Sequence, residues 1–268
     1  MPALDYAIII LYLGGLLYLG FRYRLKKDSS ASELIVGGRM LTLPAFVASL
    51  VSTWYGGILG VGEYSYSYGL SNWLVFGLPY YLAALLFALF LAKKARQSEV
   101  LTIPERLTQA YDNKTGLAGA AIIFLMTVPA AYVLMLGVLC EFLFGWPLWL
   151  GTLAGTLFSI VYVFLGGFRS VVRTDLLQFA LMFLGFGVLL IFLINDYGGL
   201  PFLIERVPEN HFTWHGGKPA IYIGVWYFIA LATLIEPAFH QRCYAAKDAA
   251  TARKGILVSI VCWAVFDF

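Results

Sequence analysis

The stretch LPAFVASLVSTWYGGILGVGEYSYSYGL, residues 43–70, decides the fold of this 268-residue chain. Residues 40–62 contain no charged side chain, so the stretch is long and apolar enough to cross a membrane. Glycine costs about 1 kcal/mol in the interior of a helix, and four glycines fall within seven positions, at 56, 57, 60 and 62. The stretch therefore predicts a membrane-spanning helix that is interrupted near its middle.

Apolar runs of the same kind fill the rest of the chain. Hydrophobic residues make up 61% of it and charged residues 12%, which is far from the composition of a soluble domain. Segments without Asp, Glu, Lys or Arg recur at the length that a membrane helix needs, about 20 residues. They predict an all-α, polytopic membrane protein with seven spans, at about 4–22, 42–69, 71–92, 116–141, 146–165, 176–194 and 219–240.

The last apolar run, Gly255–Phe268, has 14 residues. At about 1.5 Å per residue it is too short to cross a hydrocarbon core of about 30 Å. We expect the truncated start of an eighth span here, with a short re-entrant or surface helix as the alternative. Residues 1–268 are thus predicted to form one transmembrane domain.

Basic residues are concentrated in alternate loops. Sixteen of the 18 Lys and Arg residues lie in four segments, at positions 22–39, 93–114, 169–173 and 242–254. The other loops hold only Arg206 and Lys218. Because short loops rich in Lys and Arg stay in the cytoplasm, the distribution predicts a multi-pass protein of the plasma (inner) membrane with its N-terminus outside.

The motifs of several enzyme classes are missing from the sequence. It has no Walker loop, no dinucleotide-binding glycine pattern and no nucleophile elbow. Cys140, Cys243, Cys262 and the three histidines are too scattered to predict a disulfide or a transition-metal site. We therefore expect no enzyme activity and no nucleic-acid partner, and the expected partners are the lipid bilayer and a small-molecule solute.

A second interruption falls in the seventh predicted span, where Glu236 precedes Pro237. If 4–22 is an extra N-terminal span and 42–194 is a five-helix repeat, then 219–268 is the truncated start of a second repeat. The two broken helices would then occupy the first position of each repeat. Paired interruptions of this kind indicate the binding site of a secondary transporter, where freed backbone groups meet ions and solute near the midplane.

Four segments resemble the sodium/solute symporter family, which includes proline, pantothenate and sugar cotransporters. They are 43–70, LTIPERL at 101–107, GGFRSVVRTDLLQ at 166–178, and EPAFHQRCYAAKDAATARKGI at 236–256. The resemblance covers essentially the whole chain. It implies a LeuT-type fold with two inverted five-helix repeats, of which this chain is an incomplete, N-terminal portion.

The resemblance also implies a site for Na⁺ as the coupling ion. It assigns backbone carbonyls of Ser52 and Tyr55 as sodium ligands, with further hydroxyl ligands from a later span. The choice suits Na⁺, a hard cation that prefers oxygen. It gives Asp175 a role in the sodium path or its gate, whereas an N-capping acid at a helix start is the alternative. A salt bridge from Arg173 is a further expectation.

The residues around the two interruptions are candidates for solute binding. Thr53 and Trp54 adjoin the first break, and Thr233 and Glu236 lie at the second. An acid at membrane depth usually faces a cavity or a partner, so Glu236 is assigned to the solute site, with an ion pair to Arg242 as the alternative.

Two other positions complete the candidates. Glu63, about 11 Å beyond the first break, is assigned to an external, gating vestibule, with an interfacial acid in water as the alternative. The family's sugar and proline transporters tend to carry larger polar or aromatic groups on the seventh predicted span, where this chain has Ile229 and Ala232. The resemblance therefore favours a small organic acid or amino acid over a sugar.

Together these features predict sodium-coupled symport of a small organic solute. Two other functions remain open at this point. The same membrane module could serve as a solute sensor in a signalling protein, or the chain could be a truncated remnant without transport activity.

Overall fold

The computed structural model describes residues 3–24 and 28–267, and their regular structure is helical apart from one isolated bridge. The helices are α1 Ala3–Arg22, α2 Ala31–Val36, α3 Leu43–Trp54, α4 Ile58–Tyr68, α5 Asn72–Gln97, α6 Ile103–Ala110, α7 Asn113–Met126, α8 Ala130–Phe144, α9 Leu148–Tyr197, α10 Leu200–Arg206, α11 Ala220–Ala230, α12 Pro237–Ala245 and α13 Ala249–Asp267.

Six stretches of the described residues are long and apolar enough to cross a membrane, and the bent pair α3–α4 makes a seventh when taken as one span. The six stretches are α1, α5, Asn113–Phe144, Gly166–Tyr197, Ala220–Ala245 and α13. The all-α polytopic prediction is confirmed.

The glycine-rich interruption lies where the sequence predicts it. α3 ends at Trp54, a 3₁₀ turn covers Tyr55–Gly57, and α4 leaves at an angle of 61° to α3. The second interruption is also present: after α11 a 3₁₀ turn runs over Leu231–Ile235, and Glu236 takes an extended conformation. Pro237 then starts α12, a position where its missing N–H is not needed.

The connection between the fifth and sixth predicted spans differs from the prediction. Residues 166–175 were expected to form a turn, but they are helical and belong to α9, which is bent at Gly167. Gly167 has φ +56° and ψ −158°, a conformation that a residue with a Cβ rarely adopts. The chain therefore changes direction at Gly167 alone and not over a ten-residue turn. The segment before the bend contains a shorter apolar helix, Leu148–Val161.

The last helix is longer than expected. α13 has 19 residues and begins at Ala249, so it meets the length and composition of a span. The prediction of a run too short to cross was wrong, because Arg253 and Lys254 lie within the helix rather than before it. Asp248 caps its start by accepting a hydrogen bond from the Thr251 amide at 2.7 Å.

The core lies around α3, which packs against α9 and α13. Phe46, Leu50 and Val51 of α3 are buried. Gly255 of α13 permits close packing, since a Cβ at this position would lie 2.3 Å from the Phe46 ring. Apolar side chains elsewhere face outward: no residue in the most apolar part of Gly166–Tyr197 is buried. Such a surface is expected where helices contact lipid.

The loops fall on two opposite faces of the bundle. On one face the basic segments meet: Arg96 donates to the Ala246 carbonyl at 2.6 Å, and Arg169 donates to the Gly37 carbonyl at 3.1 Å. On the other face the Leu70 amide donates to the His211 carbonyl at 2.8 Å. The loops that are rich in Lys and Arg therefore lie together on one face, and the loops that are poor in these residues lie together on the other.

Candidate functional site

Three hydroxyls share one face of α3, the helix that ends at the first interruption. Ser49, Ser52 and Thr53 have the i, i+3, i+4 spacing that places side chains on one side of a helix. Ser49 is fully buried, and Thr53 donates back to the Ser49 carbonyl at 2.8 Å. α3 thus presents a polar strip inside an otherwise apolar core.

The carboxylate of Asp175 lies against this strip. Ser49 Oγ donates to Asp175 Oδ2 at 2.6 Å, and Ser52 Oγ donates to the Asp175 carbonyl at 3.0 Å. Asp175 is 6% exposed and lies inside α9, eight positions after the bend at Gly167. The alternative of an N-capping acid at a helix start was therefore wrong, because the helix begins before this residue.

Arg242 of α12 supplies the opposite charge. Its Nη2 lies 3.9 Å from Asp175 Oδ2 and donates to Thr53 Oγ1 at 2.7 Å, and its Nε donates to Ser49 Oγ at 3.2 Å. The guanidinium is 5% exposed and lies 5.5 Å from the Phe168 ring centre. We call Ser49, Thr53, Asp175 and Arg242 the inner junction.

The inner junction joins three helices through one buried charge pair. α3 contributes hydroxyls, α9 the carboxylate and α12 the guanidinium. In a low-dielectric interior the loss of either charge leaves the other one uncompensated, which is strongly unfavourable. Arg242 therefore connects α12 to α3 through hydrogen bonds and to α9 through the buried charge pair.

Two predicted ion pairs are replaced by this arrangement. Arg173 was expected near Asp175, but its guanidinium lies 5.1 Å from the Tyr23 ring centre. In the described parts of the chain, 3–24 and 28–267, Arg242 pairs with Asp175 and forms no salt bridge with Glu236. The alternative pairing of Glu236 with Arg242 was wrong because Arg242 turns into the core.

The two predicted carbonyl ligands lie at the end of α3. The Tyr55 carbonyl accepts a hydrogen bond from the Ile58 amide, so the break is a tight turn and leaves this oxygen one further lone pair. The Ser52 hydroxyl contacts Asp175, whereas the Tyr55 phenol points away from the inner junction and donates to Asp267.

A cavity of about 480 Å³ opens beside the inner junction. Thr53 and Glu236, from the two interruptions, both line it, together with Arg242, His240 and Tyr132. Residues 101–104 of the basic face lie at its wall, so it opens toward that side. The structure thus brings the two interruptions to one cavity.

Two of the candidate solute residues lie elsewhere. Trp54 packs against Tyr80 and Trp263, with ring centres 5.1 Å and 5.2 Å away, and does not line this cavity. Thr233 is buried at 3% exposure and is also outside it. Glu63 lines a separate cavity of about 610 Å³ on the opposite face.

Sequence reasoning missed Ser49 and the role of Arg242. Ser49 has the same helical face as Ser52, a signal that was available. Arg242 gave no signal, because its partner is 67 positions away and its burial follows from the packing of α12 against α3.

Comparison with solved structures identifies the fold. The chain is similar to a Na⁺-coupled sialic acid symporter in a substrate-bound outward-open state, with a TM-score of 0.80 over 99% of this chain and 58% of that one. The sequence identity is 16%, so this likeness concerns the fold alone. The class that the fold and the interrupted helices define is an all-α membrane protein with the LeuT-type fold.

Comparison of sequences identifies the family. The sequence model of the Sodium:solute symporter family matches residues 34–267, and the chain belongs to this family. It is 32% identical over 190 residues to the human high affinity choline transporter 1, covering 67% of this chain and 33% of that protein.

A bacterial relative matches a larger share of the chain. Identity to the sodium/pantothenate symporter of Haemophilus influenzae is 26% over 274 residues, covering 96% of this chain and 56% of that protein. For the sodium/proline symporter of Salmonella typhimurium it is 26% over 214 residues, covering 74% and 42%. The chain therefore spans about a third to just over half of these relatives.

Proposed function

We propose that this chain is part of a sodium-coupled symporter that carries a small organic solute across the plasma membrane. The observation that carries the proposal is the inner junction, in which the Asp175 carboxylate connects α3 and α12. α3 ends at the first interruption, and α12 begins directly after the second. Binding of a cation at that carboxylate and movement of the solute-binding helices are then parts of one event.

The proposed sodium site uses the carbonyls of Ser52 and Tyr55 and the carboxylate of Asp175. Oxygen ligands of this kind suit Na⁺. The ion competes with Arg242 for Asp175, because both are monovalent cations that seek the same buried charge. Binding of Na⁺ therefore weakens the ion pair that attaches α12 to α9, and release of Na⁺ lets Arg242 pair with Asp175 again.

The proposed solute site is the cavity beside the junction, with Thr53 and Glu236 in its wall and Trp54 and Thr233 nearby at the interruptions. The charge of Arg242 is compensated by Asp175. His240 lies 3.0 Å from the Leu234 carbonyl and 3.3 Å from the Tyr244 hydroxyl, which suits a neutral imidazole.

Among the described wall residues of this cavity, Glu236 thus holds a charge with no ion-pair partner. The start of α12 stabilises its carboxylate through the helix dipole. This charge favours a solute with a cationic nitrogen, such as an amino acid, over a simple organic acid.

The topology is proposed from the charge of the loops. The basic face is cytoplasmic, the N-terminus is outside, and Glu63 lies in an external vestibule. Residues 42–194 form the first repeat and 219–268 begin the second. A cysteine at Asn210 should react with an impermeant maleimide in intact cells, and a cysteine at Lys94 should not. Labelling of Lys94→Cys in sealed cells would overturn this orientation.

Transport is tested with the product of the complete coding sequence in proteoliposomes. Uptake of a panel of radiolabelled amino acids, choline and pantothenate is expected to need an inward Na⁺ gradient. Asp175→Asn should abolish the sodium dependence, whereas Asp196→Asn, a matched change at an exposed acid of the same helix, should not alter it. Equal uptake in sodium-free buffer with a proton gradient would move the assignment to proton coupling.

A further inference from the structure

A second intramembrane acid, Asp267, has an environment unlike that of Asp175. It lies in the last turn of α13 and is half-buried. Both carboxylate oxygens accept hydrogen bonds from phenols, one from Tyr55 and the other from Tyr81. Phenols are neutral donors, so they solvate the carboxylate without neutralising its charge.

No basic side chain balances Asp267. Within residues 3–24 and 28–267 the salt bridges are Arg169 with Glu33, Arg242 with Asp175 and Lys247 with Asp248. An ionised acid at membrane depth is costly unless it has a partner or water. Among the residues that the structure describes, the side chains that donate to Asp267 are thus the neutral phenols of Tyr55 and Tyr81.

An independent observation points to the missing partner. Asn72, at the start of α5, is 4% exposed, and its Oδ1 has no hydrogen-bond donor in the described structure. A buried acceptor without a donor is unusual in folded proteins and marks a position where a bound ligand can supply the contact. Asn72 and Asp267 both line the same two cavities, of about 830 Å³ and 610 Å³.

The oxygen atoms around these cavities have the chemistry of a cation site. The carboxylate of Asp267 and the amide carbonyl of Asn72 line both cavities and are the hard oxygen ligands that Na⁺ prefers. Both cavities lie on the face opposite the basic loops, where Ser65 and Tyr66 line them. An ion that arrives from that side meets Asp267 before it reaches the inner junction.

We infer that Asp267 and Asn72 form a second Na⁺ site, open to the outer face and separate from the proposed site at Asp175. Tyr55 links the two: its phenol donates to Asp267, and its carbonyl lies at the end of α3. Occupation of the outer site therefore acts on the first helix break through a single side chain.

The test is Na⁺ binding to the purified complete protein, measured with ²²Na⁺ and with tryptophan fluorescence at constant ionic strength. Trp263 and Trp73 lie beside the site and report on it: Tyr55 contacts the Trp263 carbonyl, and Trp73 donates to the Ala264 carbonyl. We expect two binding phases. Asp267→Asn should weaken one of them at least ten-fold, and Asp196→Asn should leave both unchanged.

Two further variants make the result decisive if Asp267→Asn folds poorly. Asn72→Asp adds a second carboxylate at nearly constant volume and should tighten the outer phase, whereas Asn72→Leu should weaken it. Asp175→Asn combined with Arg242→Gln removes both charges of the inner pair and should remove the other phase while leaving the outer one. If this double variant is folded and binds no Na⁺ at all, the inference is wrong.

Protons are the competing ligand. The same Na⁺ titrations at pH 5.5, 7.0 and 8.5 distinguish a sodium site at Asp267 from a proton site there. A sodium site loses affinity as protons compete for Asp267, and this loss should disappear in Asp267→Asn together with the phase itself. If Asp267→Asn changes only the pH dependence and keeps both sodium phases, the site binds protons and the inference fails. These measurements need no transport, so failure of symport is detected separately.

Discussion

The two acids Asp175 and Asp267 solve the same physical problem in opposite ways. Asp175 has a built-in counter-charge, Arg242, and a serine hydroxyl at 2.6 Å. Asp267 has two phenols and a neighbouring unpartnered amide oxygen, and faces cavities. A buried acid that pairs with an arginine of the same protein fixes two helices to each other, as Asp175 does with Arg242. An acid that has only neutral donors, such as Asp267, is suited to bind a cation from solution.

The largest expected effect separates the two acids by stability. Asp175→Asn leaves the buried guanidinium of Arg242 uncompensated and should destabilise the protein by about 3–5 kcal/mol. Asp267→Asn removes an unbalanced charge and should be neutral or stabilising. Thermal unfolding in detergent without Na⁺ measures both. Equal destabilisation by the two changes would show that Asp267 has a counter-charge after all.

A double change tests whether the charges of Asp175 and Arg242 interact. Asp175→Asn combined with Arg242→Gln removes both charges and should recover most of the stability that either single change loses. Arg173→Gln serves as the control, since that arginine lies against Tyr23 on the basic face. Additive losses in the double variant would mean that the two charges do not interact.

The next effect concerns the hydroxyls of α3. Ser49→Ala removes hydrogen bonds to both charged groups of the inner junction and should cost about 1.5–3 kcal/mol. Ser52→Ala removes only a bond to a backbone carbonyl and should cost about 0.5–1.5 kcal/mol. Both keep the main chain, so the proposed carbonyl ligand at Ser52 remains. A larger loss from Ser52→Ala would contradict this ranking.

Glu236 tests the solute half of the proposal. Glu236→Gln keeps the shape of the side chain but removes its charge, so the KM for a solute with a cationic nitrogen should rise about ten-fold, the equivalent of about 1.4 kcal/mol. Neutralising Arg242 as well should not restore uptake, because Arg242 pairs with Asp175. Glu209→Gln in the loop on the other face is the matched control. If uptake recovers when Glu236→Gln is combined with neutralisation of Arg242, Glu236 has a structural role and does not bind the solute.

The smallest effect is at the surface. The hydrogen bond from the Thr251 amide lowers the pKa of Asp248 below its ordinary value of 3.8. Its contribution to stability is therefore complete above that value and is lost as the pH falls through the lower, folded-state pKa. Asp248→Asn should reduce the difference in melting temperature between pH 5 and pH 3 slightly. An unchanged difference would show that the cap contributes nothing.

Much of the fold follows from local chemistry that a sequence displays. The first break was predicted because helix propensity is a local property, and the glycines after Tyr55 lower it wherever they stand. The second was predicted because Pro237 lacks an N–H. The missed element was the start of the sixth span, where Arg169 and Arg173 suggested a loop although a helix end at a membrane surface tolerates such residues.

The candidate site was predicted less completely. Glu236 was singled out because an acid in an apolar run is costly, and that argument needs no partner. Asp175 was singled out because the segment 166–178 resembles the sodium/solute symporter family. Nearness in sequence suggested Arg173 as the partner of Asp175 and, as the alternative for Glu236, an ion pair with Arg242; the structure pairs Arg242 with Asp175 instead. Thr53 and Glu236 do meet at one cavity, whereas Trp54 turns toward Tyr80 and Trp263.

The sequence by itself determined that this is a helical membrane protein with two interrupted spans and two sets of loops, because hydrophobicity, glycine, proline and charge act along short segments. Only the tertiary structure decided which charges are compensated. Arg242 and Asp175 are 67 positions apart, and Tyr55 and Asp267 are 212 apart. Electrostatic energy depends on the distance between charges and on their burial. Whether Asp175 or Asp267 has a counter-charge is therefore decided only when α3, α9, α12 and α13 pack together.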